Sequence, residues 1–319
     1  MSDLDEAIDL CRAALALHPP GHSQRLTSLS NLANSLQDRF MQWGVLSDLD
    51  EAIDLYRAAL ALCPPGHSQR PTSLNNLASG LQNKFIHGGV LSDSDEAIDL
   101  YQVALALHPP GHSQRSTSLN NLANSFQDRF EQWGVLSDLD EAIDLYQAAL
   151  ALCPPGHPQR SSTSLNNLAN SLQDRFKQQG VLSDLDEAID LYQAVLALCP
   201  PGHSQRPTSL NNLANSLQDR FMQRGVLSDL DEAIDLYRAA LALCPPGHSQ
   251  QSTSFNGLAN SLHERFKQRG VLSDLDEAID LYQTVLALCP PGHSQRSTSL
   301  NNLASSLQDR FKQQQSIVS

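Results

Sequence analysis

The stretch Asp48-Leu49-Asp50-Glu51-Ala52-Ile53-Asp54-Leu55-Tyr56 decides the fold, because it is written seven times along the chain. Near-identical segments begin at Asp3, Asp93, Asp138, Asp184, Asp229 and Asp274. They recur every 45 residues, apart from one step of 46 where Ser161-Ser162 adds a residue. A second segment alternates with the first. It reads Thr72-Ser73-Leu74-Asn75-Asn76-Leu77-Ala78, with counterparts starting at Thr27, Thr117, Thr163, Thr208, Thr253 and Thr298. A fixed period of this length marks a repeat architecture, and it overrides the two-domain expectation that 319 residues would otherwise raise.

Both segments carry the spacing of an amphipathic helix. In one, Leu74, Leu77, Ala78, Leu81 and Phe85 recur at three- and four-residue steps; in the other, Leu49, Ala52, Ile53, Tyr56, Ala59 and Leu60 do so. Asp48 with Glu51 three residues on reads as a capping pair, and Asp50, Glu51 and Asp54 suit the positive end of a helix dipole. Pro64-Pro65-Gly66 stops this helix, since proline cannot extend the amide ladder. Gly44 is placed to close the preceding helix in a left-handed cap. Helices of about 15 residues are marginal alone. Each must bury its apolar stripe on a neighbour, and stacking hairpin on hairpin does this. The expected fold is therefore all-α, a right-handed α-solenoid of about seven helix-turn-helix repeats forming a single array over residues 1–319.

Composition narrows the function. Hydrophobic residues make up 40% of the chain and aromatics 5%, so a folded core is built from Leu, Ala and Ile. A net charge of −14 argues against a nucleic-acid partner, which needs a basic footprint. The start Met1-Ser2-Asp3-Leu4-Asp5-Glu6 does not read as a secretory signal, and no apolar run is long enough to span a bilayer, so no membrane is expected. Cys63, Cys153, Cys199, Cys244 and Cys289 share one repeat position, and hairpins stack at roughly 10 Å. That exceeds the reach of a disulfide, so free thiols and a cytoplasmic, reducing location are expected.

The unit resembles the tetratricopeptide repeat. Leu74-x2-Leu77-Ala78-x2-Leu81, then Ala97-x3-Tyr101, then Pro109 follow that family's spacing, with Leu in place of Trp, Ala in place of Gly and two lengthened loops. The Gly66-His67 turn followed by Leu74-Asn75-Asn76-Leu77-Ala78 is similar to kinesin-light-chain-like repeats. The Pro-Pro-Gly-His loop and the Arg39-Phe40 helix end look like fungal arrays that often precede a caspase-like CHAT domain. The resemblance implies a protein-protein interaction scaffold whose first helices line a concave groove that takes peptide-like segments. The alternative it leaves open is the regulatory arm of a signalling or CHAT-protease protein. The chain begins with a helix of the second type and ends with one of the first, without polar caps, which reads as a fragment of a longer array.

Carried onto this sequence, the groove holds two asparagine ladders: Asn75, Asn120, Asn166, Asn211 and Asn256, and, one turn on, Asn34, Asn124, Asn170, Asn215 and Asn260. Asn31, Asn76, Asn121, Asn167, Asn212 and Asn302 lie beside them, and Ser30, Ser79, Gly257 and Ser305 break the pattern. Asparagine is a poor helix former, so its repetition calls for a compensating gain. The amide both donates and accepts, and can hold an extended peptide backbone or bond neighbouring hairpins to each other.

Charge divides by helix type. The Asp48-type helices sum to −25 and the remainder to +11. Either the two halves attract across the stack, or the groove favours neutral or acidic segments. Arg39, Lys84, Arg129, Arg175, Arg220, Arg265 and Arg310 are expected to have carboxylate neighbours. Cys63 with His67, repeated at Cys153/His157 and Cys199/His203, falls short of the four ligands of a zinc site, and no metal or other cofactor is expected. Trp43 and Trp133 stand at a loop position that is Gly88 or Gln179 elsewhere, either as interface anchors or as drift. No catalytic motif appears, and near-identical copies do not supply the one distinct set of groups an enzyme needs.

Overall fold

The computed structural model describes residues 3–153, 162–245, 250–290 and 294–318, and among these it is all-α, with fourteen helices and no strand. The chain forms two compact units, residues 1–159 and 160–319. The first holds α1 (Asp3–Ala16), α2 (Arg25–Trp43), α3 (Leu46–Ala61), α4 (Arg70–Gly88), α5 (Leu91–Ala106), α6 (Arg115–Trp133) and α7 (Leu136–Ala151). The second holds α8 (Ser162–Gln179), α9 (Leu182–Leu198), α10 (Arg206–Arg224), α11 (Leu227–Leu243), α12 (Gln251–Arg269), α13 (Leu272–Leu288) and α14 (Ser294–Val318). Each even-numbered helix up to α12 pairs most closely with the helix that follows it, giving three hairpins per unit. Within a unit, each hairpin packs on the next, so the repeat read in the sequence is the repeat of the fold.

The tight turn inside each hairpin follows from glycine. Gly44 takes φ 71° and its N–H bonds the Phe40 carbonyl at 2.7 Å, the left-handed closure that a Cβ would disfavour. The other connection ends α3 before Pro64-Pro65-Gly66, and a side chain finishes the job that the backbone leaves undone. Arg25 Nη1 donates to the His18 carbonyl at 2.6 Å, and Arg115 Nη1 does the same to His108 at 2.6 Å. Each satisfies a carbonyl just past a helix end. Ser161 and His157 lie outside the described residues.

The start of the odd-numbered helices corrects the expected cap. α3 opens two residues early, at Leu46, with Val45 at the cap position and no side-chain cap bond. Asp48 sits in the first turn, where the helix dipole favours its charge. Its carboxylate is buried and turned inward, and accepts from Arg39 Nε at 2.6 Å and Nη2 at 2.8 Å. The buried ion pair replaced the cap because a two-pronged guanidinium satisfies both carboxylate oxygens at once. The helices also exceed the expected 15 residues on the even side: α2, α4, α6, α10 and α12 each have 19.

The core lies between the two helices of each hairpin and between neighbouring hairpins. Leu36, Phe40, Leu49, Ala52 and Tyr56 are almost fully buried in one hairpin, as are Leu217, Phe221, Leu230, Ala233 and Tyr237 in another. Burial of side chains this large contributes roughly 1.5–3 kcal/mol each. It is this that stabilises helices too short to stand alone.

Candidate functional site

The even-numbered helices present the polar face. On α2, Asn31, Asn34, Asp38 and Met41 are exposed and follow one another at helical steps. Behind Asn34 stands the tyrosine of the next helix. The hydroxyls of Tyr56, Tyr146, Tyr192, Tyr237 and Tyr282 donate to Oδ1 of Asn34, Asn124, Asn170, Asn215 and Asn260 at 2.7, 2.5, 2.6, 2.5 and 2.6 Å. A glutamine of the same even-numbered helix shares the proton, as Gln37 Oε1 does at 3.0 Å and Gln82 Oε1, in its own hairpin, does from Tyr101 at 3.1 Å. Burial pushes the Tyr56, Tyr192, Tyr237 and Tyr282 hydroxyls well above the usual phenol range, so they remain donors. An amide whose oxygen is held has a fixed orientation. Nδ2 of Asn34, Asn170, Asn215 and Asn260 meets no acceptor among the described residues, so each of these amides keeps a free donor.

The other ladder faces the seams between hairpins. Oδ1 of Asn211 accepts from Ser254 Oγ at 2.9 Å and Oδ1 of Asn256 from Ser299 Oγ at 3.4 Å, each time from the next even-numbered helix along. Oδ1 of Asn166 accepts from Asn212 Nδ2 at 3.4 Å. Asn120 turns back on its own helix, donating to the Ser116 carbonyl at 2.9 Å, and Oδ1 of Asn75 is buried without a partner. Asn211 is only 1% exposed. The flanking asparagines tie the two ladders together: Asn212 Nδ2 and Asn302 Nδ2 donate to Oδ1 of Asn170 and Asn260 at 3.2 and 2.9 Å.

Where the second ladder breaks, the face opens. In the first unit a cleft of about 280 Å³ is lined by Asn34, Gln37, Asp38, Tyr56, Asn76 and Ser79. In the second unit a cleft of about 310 Å³ has Asn260, His263, Glu264, Tyr282, Asn302 and Ser305 at the same repeat positions. Ser79 and Ser305 stand where the other even-numbered helices carry asparagine, and the shorter side chain leaves the space. A third opening of about 400 Å³ lies among loop ends, beside Gly66, His67, His108 and His112.

Charge follows the first of the two expectations, attraction between the two halves of each hairpin. The basic residues that gave the even-numbered helices their positive sum are consumed in the hairpins. Arg129, Arg220 and Arg265 repeat the Arg39 geometry on Asp138, Asp229 and Asp274, each with Nε 2.6–2.7 Å from one oxygen, and Arg175 holds Asp184. They reach the preceding odd-numbered helix as well, Arg39 to Asp5 at 3.2 Å and Arg265 to Asp231 at 3.0 Å. Lys84 and Arg310 also have carboxylates within reach, Asp50 at 2.8 Å and Asp276 at 3.6 Å. The even-numbered helices also carry a row of acids at one repeat position, Asp38, Asp128, Asp174, Asp219, Glu264 and Asp309, of which Asp38 is exposed and the others are half-buried. Gln82, Gln173 and His263 each bond the acid of the next even-numbered helix, Gln173 Nε2 at 3.1 Å from Asp219 and His263 Nε2 at 3.0 Å from Asp309. Desolvation pushes the Asp128 carboxyl up to about 6, against a bond from Gln82 that lowers it. The clue was available in the text: apart from Glu131, every acid outside the Asp48-type helices sits at this one position.

The remaining candidates are placed as follows. Cys63, Cys153, Cys199, Cys244 and Cys289 are buried free thiols, and Cys63 lies 3.4 Å from Ser73 Oγ. Where histidine replaces this cysteine it keeps the same neighbour, His108 Nδ1 meeting Ser118 Oγ at 2.7 Å, and burial lowers its basicity. Among the described residues no group of three or more His, Cys, Asp or Glu is arranged to hold a metal ion, and no helix is long and apolar enough to cross a membrane. Trp43 and Trp133 end α2 and α6 rather than standing in loops, with 46% and 54% of their surface exposed.

Comparison with known proteins agrees on the hairpin. A Sel1-repeat family model matches residues 28–62, 73–108, 116–152 and 207–243, and a tetratricopeptide-repeat model matches residues 162–204. No curated protein matches the chain. Solved structures do. One, from Podosopora anserina and described as a kinesin light chain of nearly identical TPR-like repeats, is 22% identical over 70% of this chain and 96% of its own, with a TM-score of 0.50. BtubC (BKLC) from P. vanneervenii is 22% identical over 77% of this chain and 95% of its own, with a TM-score of 0.51. The Cut9-Hcn1 hetero-tetramer of the APC/C gives 17% identity over 95% of this chain and 52% of that one, with a TM-score of 0.54.

Proposed function

We propose that this chain, whose repeats match Sel1 and tetratricopeptide-repeat models, is a protein-protein interaction scaffold, and that each unit holds an extended segment of a partner along the polar face of its even-numbered helices. The observation that carries this reading is the row of amides at Asn34, Asn124, Asn170, Asn215 and Asn260. A tyrosine hydroxyl holds each amide oxygen. The N–H2 groups freed by this arrangement, at Asn34, Asn170, Asn215 and Asn260, suit the carbonyls of an extended backbone, which repeat regularly whatever the side chains. Donors already fixed in place lose little freedom on binding. Of the other ladder, Asn166, Asn211 and Asn256 serve this face from behind, by bonding successive even-numbered helices to one another. The reading is one of capture rather than catalysis. Solenoids of this kind offer a long surface, and the Cut9-Hcn1 assembly is an instance of a similar fold in a complex with a second chain.

Asparagine-to-aspartate exchange separates the two roles of the ladder. Asp keeps the oxygen that the tyrosine needs and removes the donor that a peptide would use. For a peptide selected against the chain from a random extended library, the double variant Asn170→Asp/Asn215→Asp is expected to bind about tenfold more weakly, while its melting temperature moves little. Unchanged peptide affinity, or a large fall in melting temperature, overturns the assignment.

A further inference from the structure

We infer that the cleft of the first unit at Ser79 is a subsite for a cationic side chain, a guanidinium or an ammonium, of the segment bound there; this rests on the groove reading above and adds to it the chemistry of one recognised residue. The cleft gathers acceptors. Oδ1 of Asn34 and Oε1 of Gln37 are both turned toward the Tyr56 hydroxyl, and each carbonyl oxygen has a second lone pair. Ser79 Oγ accepts from Gln37 Nε2 at 3.2 Å. Asp38 adds an exposed carboxylate that has no basic partner among the described residues. The basic side chains of the two flanking helices are already engaged: Arg39 by Asp48 and Asp5, Lys84 by Asp50, and Arg70 by the Cys63 carbonyl. One turn beyond Asp38, Met41 is 62% exposed and offers an apolar surface for the methylene stem of a Lys or Arg.

The second unit supplies the independent observation. Its cleft shares the asparagines, the tyrosine and the serine, with His263 in place of Gln37, and the position of Met41 is occupied by Lys267, whose Nζ lies 3.2 Å from Glu264, the counterpart of Asp38. Gln268 Nε2 donates to the other oxygen of Glu264 at 3.3 Å. Here the chain itself places an ammonium on the carboxylate of the cleft. The first unit has a carboxylate at the same repeat position without the built-in cation, so an incoming side chain takes that place.

The probes are capped nonapeptides of Gly and Ser with one central residue, either Arg, its uncharged isostere citrulline, or Glu. Each is titrated into the isotope-labelled full chain while the side-chain amide signals of Asn34 and Asn76 are followed by NMR. The Arg peptide is expected to shift these signals saturably and to bind about fivefold more tightly than the citrulline peptide. That preference should vanish in Asp38→Asn, whose altered side chain is exposed, and persist in Glu264→Gln. Equal effects of Arg and citrulline peptides on these signals would refute the cationic subsite and leave the groove standing. If no peptide moves them, the subsite and the groove reading both fall.

Discussion

The hairpins α4/α5 and α6/α7 lie next to each other in one unit, derive from one repeat and are held together unequally. In α6/α7, Arg129 clasps Asp138 with Nε at 2.6 Å and Nη2 at 2.8 Å, reaches Asp95 at 2.7 Å with Nη1, and lies over the Phe126 ring. Leu139 is fully buried, and Asn124 receives the Tyr146 hydroxyl. In α4/α5 the same positions read Lys84, Asp93, Ser94 and Ser79. A lysine has one head where arginine has a fork, so Lys84 serves Asp50 and leaves Oδ2 of Asp93 buried without a partner. Ser94 buries a hydroxyl at 2% exposure where its counterpart buries a leucine. Yet α4/α5 keeps the fold, because the leucine and phenylalanine stripe is intact and both neighbouring hairpins cover it. The repeat tolerates loss of its polar clasp and part of its core so long as the stripe survives. The hairpin that lost most is also the one whose Ser79 opens a cleft.

The sharpest way to break this comparison is to write the weak hairpin's core into the strong one. Leu139→Ser removes a fully buried side chain and places a hydroxyl there, and is expected to cost about 3 kcal/mol, read as a lower denaturant midpoint. The reciprocal Ser94→Leu is expected to raise the midpoint. If Leu139→Ser costs no more than an exposed substitution would, burial at this position is not what separates the two hairpins.

The clasp comes next. Arg129→Lys leaves Asp138 with a single donor and is expected to cost about 2 kcal/mol, since loss of fork geometry at a buried carboxylate resembles a partial removal of the pair. Lys84→Arg should recover part of that amount in the weak hairpin by reaching Asp93. Thermal melts of both single variants and of the double measure whether the two effects add.

The all-α repeat was legible in the sequence because its evidence is written many times over. Apolar positions at helical spacing, glycine closures and proline stops recur in copy after copy, and any one of them could be lost without hiding the pattern. The asparagine ladders were legible as ladders. What they touch was not, since Tyr56 is 22 residues from Asn34 and the choice between bonding a tyrosine and bonding a ligand depends on how the two helices meet. Asp48 misled for a related reason. An acid near a helix start reads as a cap, and only the packed hairpin brings Arg39 to its carboxylate. Summed charge was legible in part: the opposite signs of the two helix types are the ion pairs of Arg39 with Asp48 and Arg129 with Asp138, but the positive total hid the acids at 38, 128, 174, 219, 264 and 309. A sum over a helix carries no information about which side of it each charge occupies.

The smallest of these contrasts is also the one that pH can read. Position 83 is asparagine in α4, whereas α6 carries Asp128, half-buried and pushed up to about 6 by desolvation. An unfolded aspartate titrates near 3.9. The folded chain therefore holds this proton more tightly than the unfolded one. The associated stability is complete below about 4 and is lost as pH rises through about 6, so at pH 7 the ionised Asp128 is a burden. Asp128→Asn removes the charge and retains an oxygen to accept from Gln82. It is expected to stabilise the chain at pH 7 by on the order of 1 kcal/mol after allowance for the side chain's contact with water, read as a higher melting temperature. The gain should shrink toward zero by pH 4. A variant that melts alike with wild type at pH 7, or whose advantage grows as the pH falls, would mean that the carboxylate is as well solvated in the folded chain as in the unfolded one, and that Asn83 and Asp128 are equivalent choices for the repeat.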